Sequence, residues 1–384
     1  MSENDFTKPK QTTKPKILEL AKKVPDSRSD KFKKHPLTSM IFIALVGSIC
    51  GADDWVAIAD TGEHLKDWIG QYVELPFGIP SHDTFGRTFG LIDNQAFSQF
   101  LIDWADHLRM KSENEVVAMD GKTLKGNAQK QAGLKGLHLL NSWSVENDIC
   151  IGHIDVDVKT NEITFIPKLI EMLDLEGCII TSDALNTQKT TATAAINSKA
   201  DYVLPVKDNH KDLLEDIELL FRDAENQNYR GFDADQFKSE DNGHGRIEHR
   251  LYSMLDAEDL PVSKEWDGMK SVGKVIRRRS TDDKSTFEVC YFITSLEIDA
   301  KLFAHATRGH WGVENGLHWS LDVVFREDHN QYHDRIGAQN LSAVRKMALG
   351  LLKKEDSVKK SLKRKRFQAL TSAEFRETVL KNFL

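Results

Sequence analysis

Cysteine is scarce in this chain. Cys50, Cys150, Cys178 and Cys290 are scattered through 384 residues with no C-x-x-C pair, which argues against a zinc site or a disulfide framework and suits a reducing cytoplasm. Long apolar runs are missing as well. The most apolar segment, Met40 to Cys50, spans 11 residues, short of the roughly 20 needed to cross a bilayer, so it is expected to be a buried helix and no membrane partner is expected. Met1 to Lys16 is polar and lysine-rich, without the apolar core of a signal peptide. There is no positive excess: 52 Lys and Arg against 59 Asp and Glu leave a net charge of −7, which counts mildly against a nucleic-acid binder. No internal repeat or low-complexity block is visible.

What is present suggests two or three units built around a real core, since 40% of the residues are hydrophobic and 29% are charged. Local charge also departs from the global balance. Lys353 to Arg366 holds eight basic residues against two acidic ones, Lys8, Lys10, Lys14 and Lys16 cluster near the start, and Arg277-Arg278-Arg279 is a compact run. Such runs are commonly solvated surface, yet they also let an acidic protein grip phosphate.

Two apolar, β-branched runs echo one another. Val116-Val117-Ala118-Met119 ends on Asp120-Gly121, and Cys178-Ile179-Ile180-Thr181-Ser182 ends on Asp183-Ala184. Each reads as a buried strand that ends on an aspartate and breaks at a small residue. A lone aspartate there commonly caps a turn. Two carboxylates brought together at the edge of a sheet repel unless a cation lies between them, and a hard divalent metal is the simplest candidate.

The chain divides by pattern into a flexible basic tail (1–29), a helical domain (30–112), an α/β core (113–350) with a β-rich insertion at about 225–295, and a basic helical tail (351–384). In the helical domain, Ser81 or Asp83 suits an N-cap. In the core, strands are expected at Glu115–Met119, Leu139–Val145, Cys150–Val156, Cys178–Ser182 and Tyr202–Val206. Helices are expected at Ile163–Leu173, Gln188–Asn197 and Asp212–Phe221. Three strands followed by alternating helix and strand is the layout of a ribonuclease-H-like mixed sheet, whose first and fourth strands are neighbours. In the insertion, Ile247–Leu255, Lys270–Ile276 and Phe287–Ile293 look like strands.

A third chemical segment runs from Arg308 to Asp322. His310, Glu314, His318 and Asp322 recur every four residues, one side of a helix, beside an apolar stripe of Val313, Leu317, Leu321 and Val324. Three readings stand: a zinc or manganese site, a polar helix face, or Glu314 as a third carboxylate. Glu248, four residues after His244 near a glycine turn, is the rival third carboxylate. Asp155 and Asp157, two apart on a strand, are weaker metal candidates.

The ordered string Gly78-Ile79-Pro80-Ser81-His82-Asp83-Thr84-Phe85, Asp120-Gly121-Lys122-Thr123-Leu124, Thr160-Asn161-Glu162-Ile163, Asp183-Ala184, Asp201-Tyr202-Val203-Leu204, His244-Gly245-Arg246-Ile247-Glu248 and His310-Trp311-Gly312-Val313-Glu314-Asn315 resembles a bacterial insertion-sequence transposase of the H-repeat-associated type. These belong to the Asp-Asp-Glu group with a ribonuclease-H-like core. The resemblance runs from about Pro25 to Leu352. It implies Asp120, Asp183 and Glu314 as catalytic carboxylates and metal ligands, with magnesium as cofactor and manganese as substitute. It also implies cleavage and joining of phosphodiester bonds at insertion-sequence ends by two-metal in-line displacement. Expected partners are double-stranded DNA, both the terminal inverted repeats and the target, and a second copy of the chain when DNA-bound; the expected location is the nucleoid in the cytoplasm. End recognition would fall to the helical domain. Candidate DNA contacts are Lys122, Lys207, His244, Arg246, Arg308, His310 and His318. Related transposases carry tyrosine, arginine and lysine around the glutamate, and this chain has Thr307, His310 and Leu321 at those offsets. The alternatives are a metal-dependent nuclease without strand transfer and an inactive DNA-binding descendant.

Overall fold

Helix caps and apolar periodicity set most of the boundaries. The computed structural model describes residues 16–128, 133, 135–156, 162–243, 246–258, 260–280 and 285–381. Contacts group them into two compact units: one of Met1–Leu108, Lys125–Leu134 and Ser320–Leu384, the other of Arg109–Leu124 and Lys135–Trp319.

The first unit opens with α1 (Lys16–Ala21), α2 (Leu37–Ile49), α3 (Trp55–His64), α4 (Lys66–Ile69), α5 (His82–Phe89) and α6 (Asn94–Leu108). The Met40 run is a buried helix as expected, α2, with Met40 through Val46 almost wholly excluded from solvent. Among the described residues no helix is long and apolar enough to cross a membrane. Asp54 caps α3 by accepting from the Ala57 N–H, and Ser81, rather than Asp83, caps α5 by accepting from Thr84.

The second unit is built on β1 (Val116–Leu124), β2 (Leu137–Ser144), β3 (Ile149–Val156), α7 (Ile166–Met172), β4 (Ile179–Thr181), α8 (Lys189–Asn197), β5 (Asp201–Val206), α9 (Lys211–Asn226), β6 (Ala234–Gly243), β7 (Arg246–Asp256), β8 (Ser271–Ser280), β9 (Ser285–Thr294) and α10 (Ala300–Gly312). The strands form one nine-stranded sheet in the order β3-β2-β1-β4-β5-β9-β8-β7-β6. β1, β2 and β3 pair antiparallel, whereas β1–β4 and β4–β5 are parallel. This is the ribonuclease-H-like arrangement, with the first and fourth strands side by side. The β-rich insertion extends the same sheet: β9 pairs antiparallel with β5 along Val203–Val206 and covers what would be an open edge. On one face, Val116, Ile179, Val203, Tyr252, Met254 and Val275 bury against Ala300, Phe303, Ala304 and Ala306 of α10.

One expectation is corrected. β1 does not break at Gly121, because its pairing with β2 continues through Asp120↔Asn141 and Gly121↔Leu140 to Leu124↔Leu137. Only the pairing with β4 stops short, at Ala118↔Thr181. An extended glycine with an antiparallel partner need not end a strand; here the shorter neighbour sets where the central pair ends.

After α10 the chain enters a π-helical turn, Val313–His318. A second π segment (Ser320–Val324), α11 (Arg335–Lys354), α12 (Leu362–Thr371) and α13 (Ala373–Lys381) belong to the first unit. α11 is buried along most of its length and packs on α2, α5 and α6. Part of the basic tail is also turned inward. Lys365 donates to the Leu352 carbonyl at 2.8 Å, and Arg366 donates to the Ser48 carbonyl at 3.1 Å and pairs with Asp53 at 2.9 Å. Lys359, Lys360, Lys363 and Arg364 remain exposed.

Candidate active site

The last paired residues of the parallel strands β1 and β4 are Ala118 and Thr181. Asp120 and Asp183 each stand two residues further along (120 − 118 and 183 − 181), so they are register-equivalent at the same end of neighbouring strands. Burial pushes the Asp120 carboxyl up to about 7; the Gly121 N–H, donating at 2.8 Å, opposes the shift, and the charges of Asp183, Glu162 and Glu314 reinforce it. Burial likewise raises Asp183, against the Asn186 N–H that donates to Oδ1 at 3.0 Å, with Glu162 adding to the rise and Lys207 drawing it back. Asp183 thereby also caps the short Ala184–Asn186 turn.

Close helix–sheet packing fixes the segment that carries Glu314, whose charge bears on Asp120. At Gly309 an added Cβ would stand 2.9 Å from Val116 Cγ1, and at Gly316 it would stand 2.8 Å from Trp143 Cζ2. These contacts leave no room for a side chain, so the two glycines let this helical segment lie against β1 and β2. Val313 and Leu317 are fully buried beside Glu314. The expected uninterrupted α-helix is absent: Glu314 sits in the π turn, whose i→i+5 bonding widens the turn, and such turns are frequent at functional sites. His318 Nδ1 lies 3.6 Å from Asp120 Oδ2. His310 instead faces Thr181 on β4, Nδ1 to Oγ1 3.2 Å, and burial pushes its pKa down to about 4. Asp322 falls in the π segment of the first unit.

The sequence reading missed a fourth carboxylate. Glu162 accepts from Asn186 Nδ2 at 3.0 Å and is hydrogen-bonded to His138 Nε2, and these bonds hold it below the usual carboxylate range. Its signal was the Thr160–Ile163 string, used only as a mark of resemblance. His138 had no signal of its own, because its place opposite Thr123 comes only from the β1–β2 register.

Next to Glu314 opens a cavity of about 490 Å³ whose walls include Arg250, Arg277, Arg279, Arg308 and Trp311. Arg277 lies over the Trp311 ring at 5.2 Å. Glu248 also lines it, but as a buried strand residue of β7, not on a mobile turn. Arg250 at 2.7 Å and Arg277 at 3.3 Å neutralise it. Arg308 pairs with Asp241. Lys207 is exposed after β5, whereas Lys122 is buried on β1. Arg246 opens β7; His244 and Asp157 lie outside the described residues, and Asp155 is half-buried on β3.

Against this geometry stand the comparisons with known proteins. A family model described as "DDE_Tnp_1-associated" matches residues 18–105, and one described as "Transposase DDE domain" matches residues 111–351. The chain belongs to the DDE transposase family. It is similar to "Putative transposase YncI" of Escherichia coli O157:H7, 36% identical over 369 residues, covering 95% of this chain and 94% of that protein. It is also similar to "H repeat-associated putative transposase YhhI" of Escherichia coli (strain K12), 33% identical over 371 residues and covering 95% and 97%. A cryo-EM structure of a piggyBac transposase synaptic complex with hairpin DNA aligns with 94% of this chain and 77% of that one, at 12% identity and a TM-score of 0.41. The ribonuclease-H-like assignment rests on the strand order instead.

DDE transposases use divalent metal, and the donor chemistry of this transposase fits: oxygen-only ligands, crowded by burial and mutual repulsion, as a hard cation prefers. As the side chains stand, no group of three or more His, Cys, Asp or Glu among the described residues is set closely enough to hold an ion. At the family's tyrosine, arginine and lysine offsets, Thr307 lines the arginine cavity, half-buried His310 faces Thr181 on β4, and Leu321 is fully buried.

Proposed function

We propose that this transposase cleaves DNA at the ends of its insertion sequence and joins the freed 3′-hydroxyl ends to target DNA, with Asp120, Asp183 and Glu314 as the catalytic carboxylates. The observation that carries this reading is the register equivalence of Asp120 and Asp183 on β1 and β4, with the charge of Glu314 acting on Asp120. The three carboxylates would hold the divalent cations, magnesium first and manganese as substitute. When bound, the cations supply Lewis-acid stabilisation to the attacking and leaving oxygens of an in-line displacement.

The chain's own residues bind and orient. His318 steadies the Asp120 carboxylate, and Lys207, beside Asp183, meets a phosphate oxygen. The arginine cavity next to Glu314 receives the backbone of the strand being cut. Exposed Trp311 and Trp319 offer faces on which bases stack. Glu314 is favoured over Glu248 because two arginines already satisfy Glu248. Helices within 30–112 carry end recognition on double-stranded DNA, and the DNA-bound form is a homodimer acting on the nucleoid in the cytoplasm.

The test uses duplex oligonucleotides carrying one element end, the full chain, and Mg²⁺ or Mn²⁺. Asp120→Asn, Asp183→Asn and Glu314→Gln should each abolish both cleavage and strand transfer while DNA binding persists. Wild-type cutting without joining would replace the transposase reading with a nuclease. Undiminished activity in any of the three variants would remove that residue from the site.

A further inference from the structure

The Glu162 carboxylate has a setting that ordinary fold stability does not explain. One oxygen is bonded to His138 Nε2, whose Nδ1 meets Thr123 Oγ1 on β1 at 2.8 Å. The other accepts from Asn186 Nδ2 at 3.0 Å, and the backbone N–H of the same Asn186 donates to Asp183 Oδ1, also at 3.0 Å. Glu162 therefore bridges the strand that carries Asp120 and the turn that carries Asp183. It approaches so closely that position 121 must lack a side chain: a Cβ there would lie 2.6 Å from His138 Nε2 and 2.8 Å from Glu162 Cδ.

A carboxylate kept for packing alone would usually be matched by arginine or lysine, as Glu115 is by Arg109 elsewhere in this unit, at 2.9 Å. The bonded partners of Glu162 are an amide and the His138 imidazole, an ion pair only when that ring is protonated, and its own charge bears on Asp120 and Asp183 as a like charge. The like charges of Glu162, Asp120 and Asp183 repel one another, and a cation bound among them would relieve that repulsion.

We infer that Glu162 is a positioning residue of the carboxylate site, tying the Asp120 strand to the Asp183 turn and raising the site's affinity for a divalent cation. The inference rests on the proposed metal-binding role of Asp120 and Asp183. His138 and Asn186 hold Glu162 in turn, and Gly121 makes room for it.

Mn²⁺ alone is the probe, titrated into the DNA-free full chain and followed by electron paramagnetic resonance of the free ion. Glu162→Gln keeps the shape of the side chain but removes its charge and weakens the bonds to His138 and Asn186, so the fold should survive while the tie loosens; thermal melting checks this. Loss of a residue that orients ligands typically weakens metal affinity about 10- to 100-fold, and Glu162→Gln should fall in that range. His138→Ala should do likewise, and the double variant should be no more than about twofold weaker than the weaker single one, because both act through one network. Asp120→Asn is the reference and should lose Mn²⁺ binding. If Asp120→Asn loses binding while Glu162→Gln, folded, stays within about twofold of wild type, Glu162 is structural only and the inference falls. If the effects of Glu162→Gln and His138→Ala multiply as independent sites, the tie between them is refuted. If Asp120→Asn binds Mn²⁺ as tightly as wild type, the proposed site itself is wrong, and the inference falls with it.

Discussion

Gly316→Ala is a sensitive probe of how Glu314 is placed. The new Cβ would stand 2.8 Å from Trp143 Cζ2, 3.2 Å from Trp143 Cε2 and 3.3 Å from Asp148 Oδ1. Optimal carbon–carbon contact begins near ~3.5 Å, so the helical segment must back away from β2 by about 0.7 Å at this point. Overpacking of this kind costs about 1–3 kcal/mol, and replacing a helical glycine by alanine returns about 1 kcal/mol. The net loss of stability is then ~0–2 kcal/mol, a few degrees of melting temperature. Glu314, two residues away, moves with the helix, and a misplacement on the order of 1 Å costs roughly 10²-fold in rate. The expected signature is a drop in the cleavage rate of about 30- to 100-fold at saturating DNA, with nearly unchanged DNA affinity and melting. Trp143→Phe removes the indole atoms that would clash, so the Gly316→Ala/Trp143→Phe double variant should cleave close to the level of Trp143→Phe alone. Wild-type rates in Gly316→Ala, or a defect that Trp143→Phe does not relieve, would refute the packing account.

Other outcomes follow from the same side chains. Glu314→Gln should eliminate metal-dependent cleavage with little change in melting, whereas Glu248→Gln, which leaves Arg250 and Arg277 without their shared carboxylate, should lower melting by about 1–3 kcal/mol and cleavage only in part; a reversal in the same assays would move the third carboxylate to Glu248. Arg109→Met strands the buried Glu115 charge and should cost about 3–5 kcal/mol in denaturant unfolding; a loss below about 1 kcal/mol would show that Ser144 and Asn147 suffice on their own. DNA affinity should fall steeply with salt, and Arg279→Gln should flatten the log–log slope by about one; an unchanged slope would take Arg279 out of contact with phosphate.

Much of the core was legible because its signals are local. β-branched runs, capping residues and the alternation of strand and helix located β1 to β5 within a few residues, and the strand order made β1 and β4 neighbours. What escaped depends on register or on hydrogen bonding that no periodicity encodes. Gly121 reads as a breaker, yet it continues β1 because β2 pairs with it, and its missing side chain serves Glu162 and His138 instead. Four-residue spacing from His310 to Asp322 reads as one α-helical stripe, but the π turn at Val313–His318 separates these roles: His310 turns to Thr181, His318 turns to Asp120. Basic runs were the least legible of all. Lys365 and Arg366 look like solvated charge and are spent on buried carbonyls.

The net charge of −7, awkward for a DNA enzyme, has a local explanation. The charges of Asp183, Glu162 and Glu314 bear on Asp120, and that of Glu162 on Asp183, where the proposed cations would sit; their repulsion would favour cation binding. The arginines beside them are arranged differently. Arg250, Arg277 and Arg308 are each held by Glu248, Glu288 or Asp241, so on the proposed reading an arriving phosphate would meet a preset guanidinium array and exchange with or join existing carboxylate partners. An array of that kind gains less from counterion release than the same number of unpaired lysines would, and gains more in orientation, because the forked donors are already fixed. Global charge is therefore a poor guide on the proposed reading: repulsion is concentrated at the carboxylates, and three of the arginines that would meet DNA are paired and placed next to Glu314.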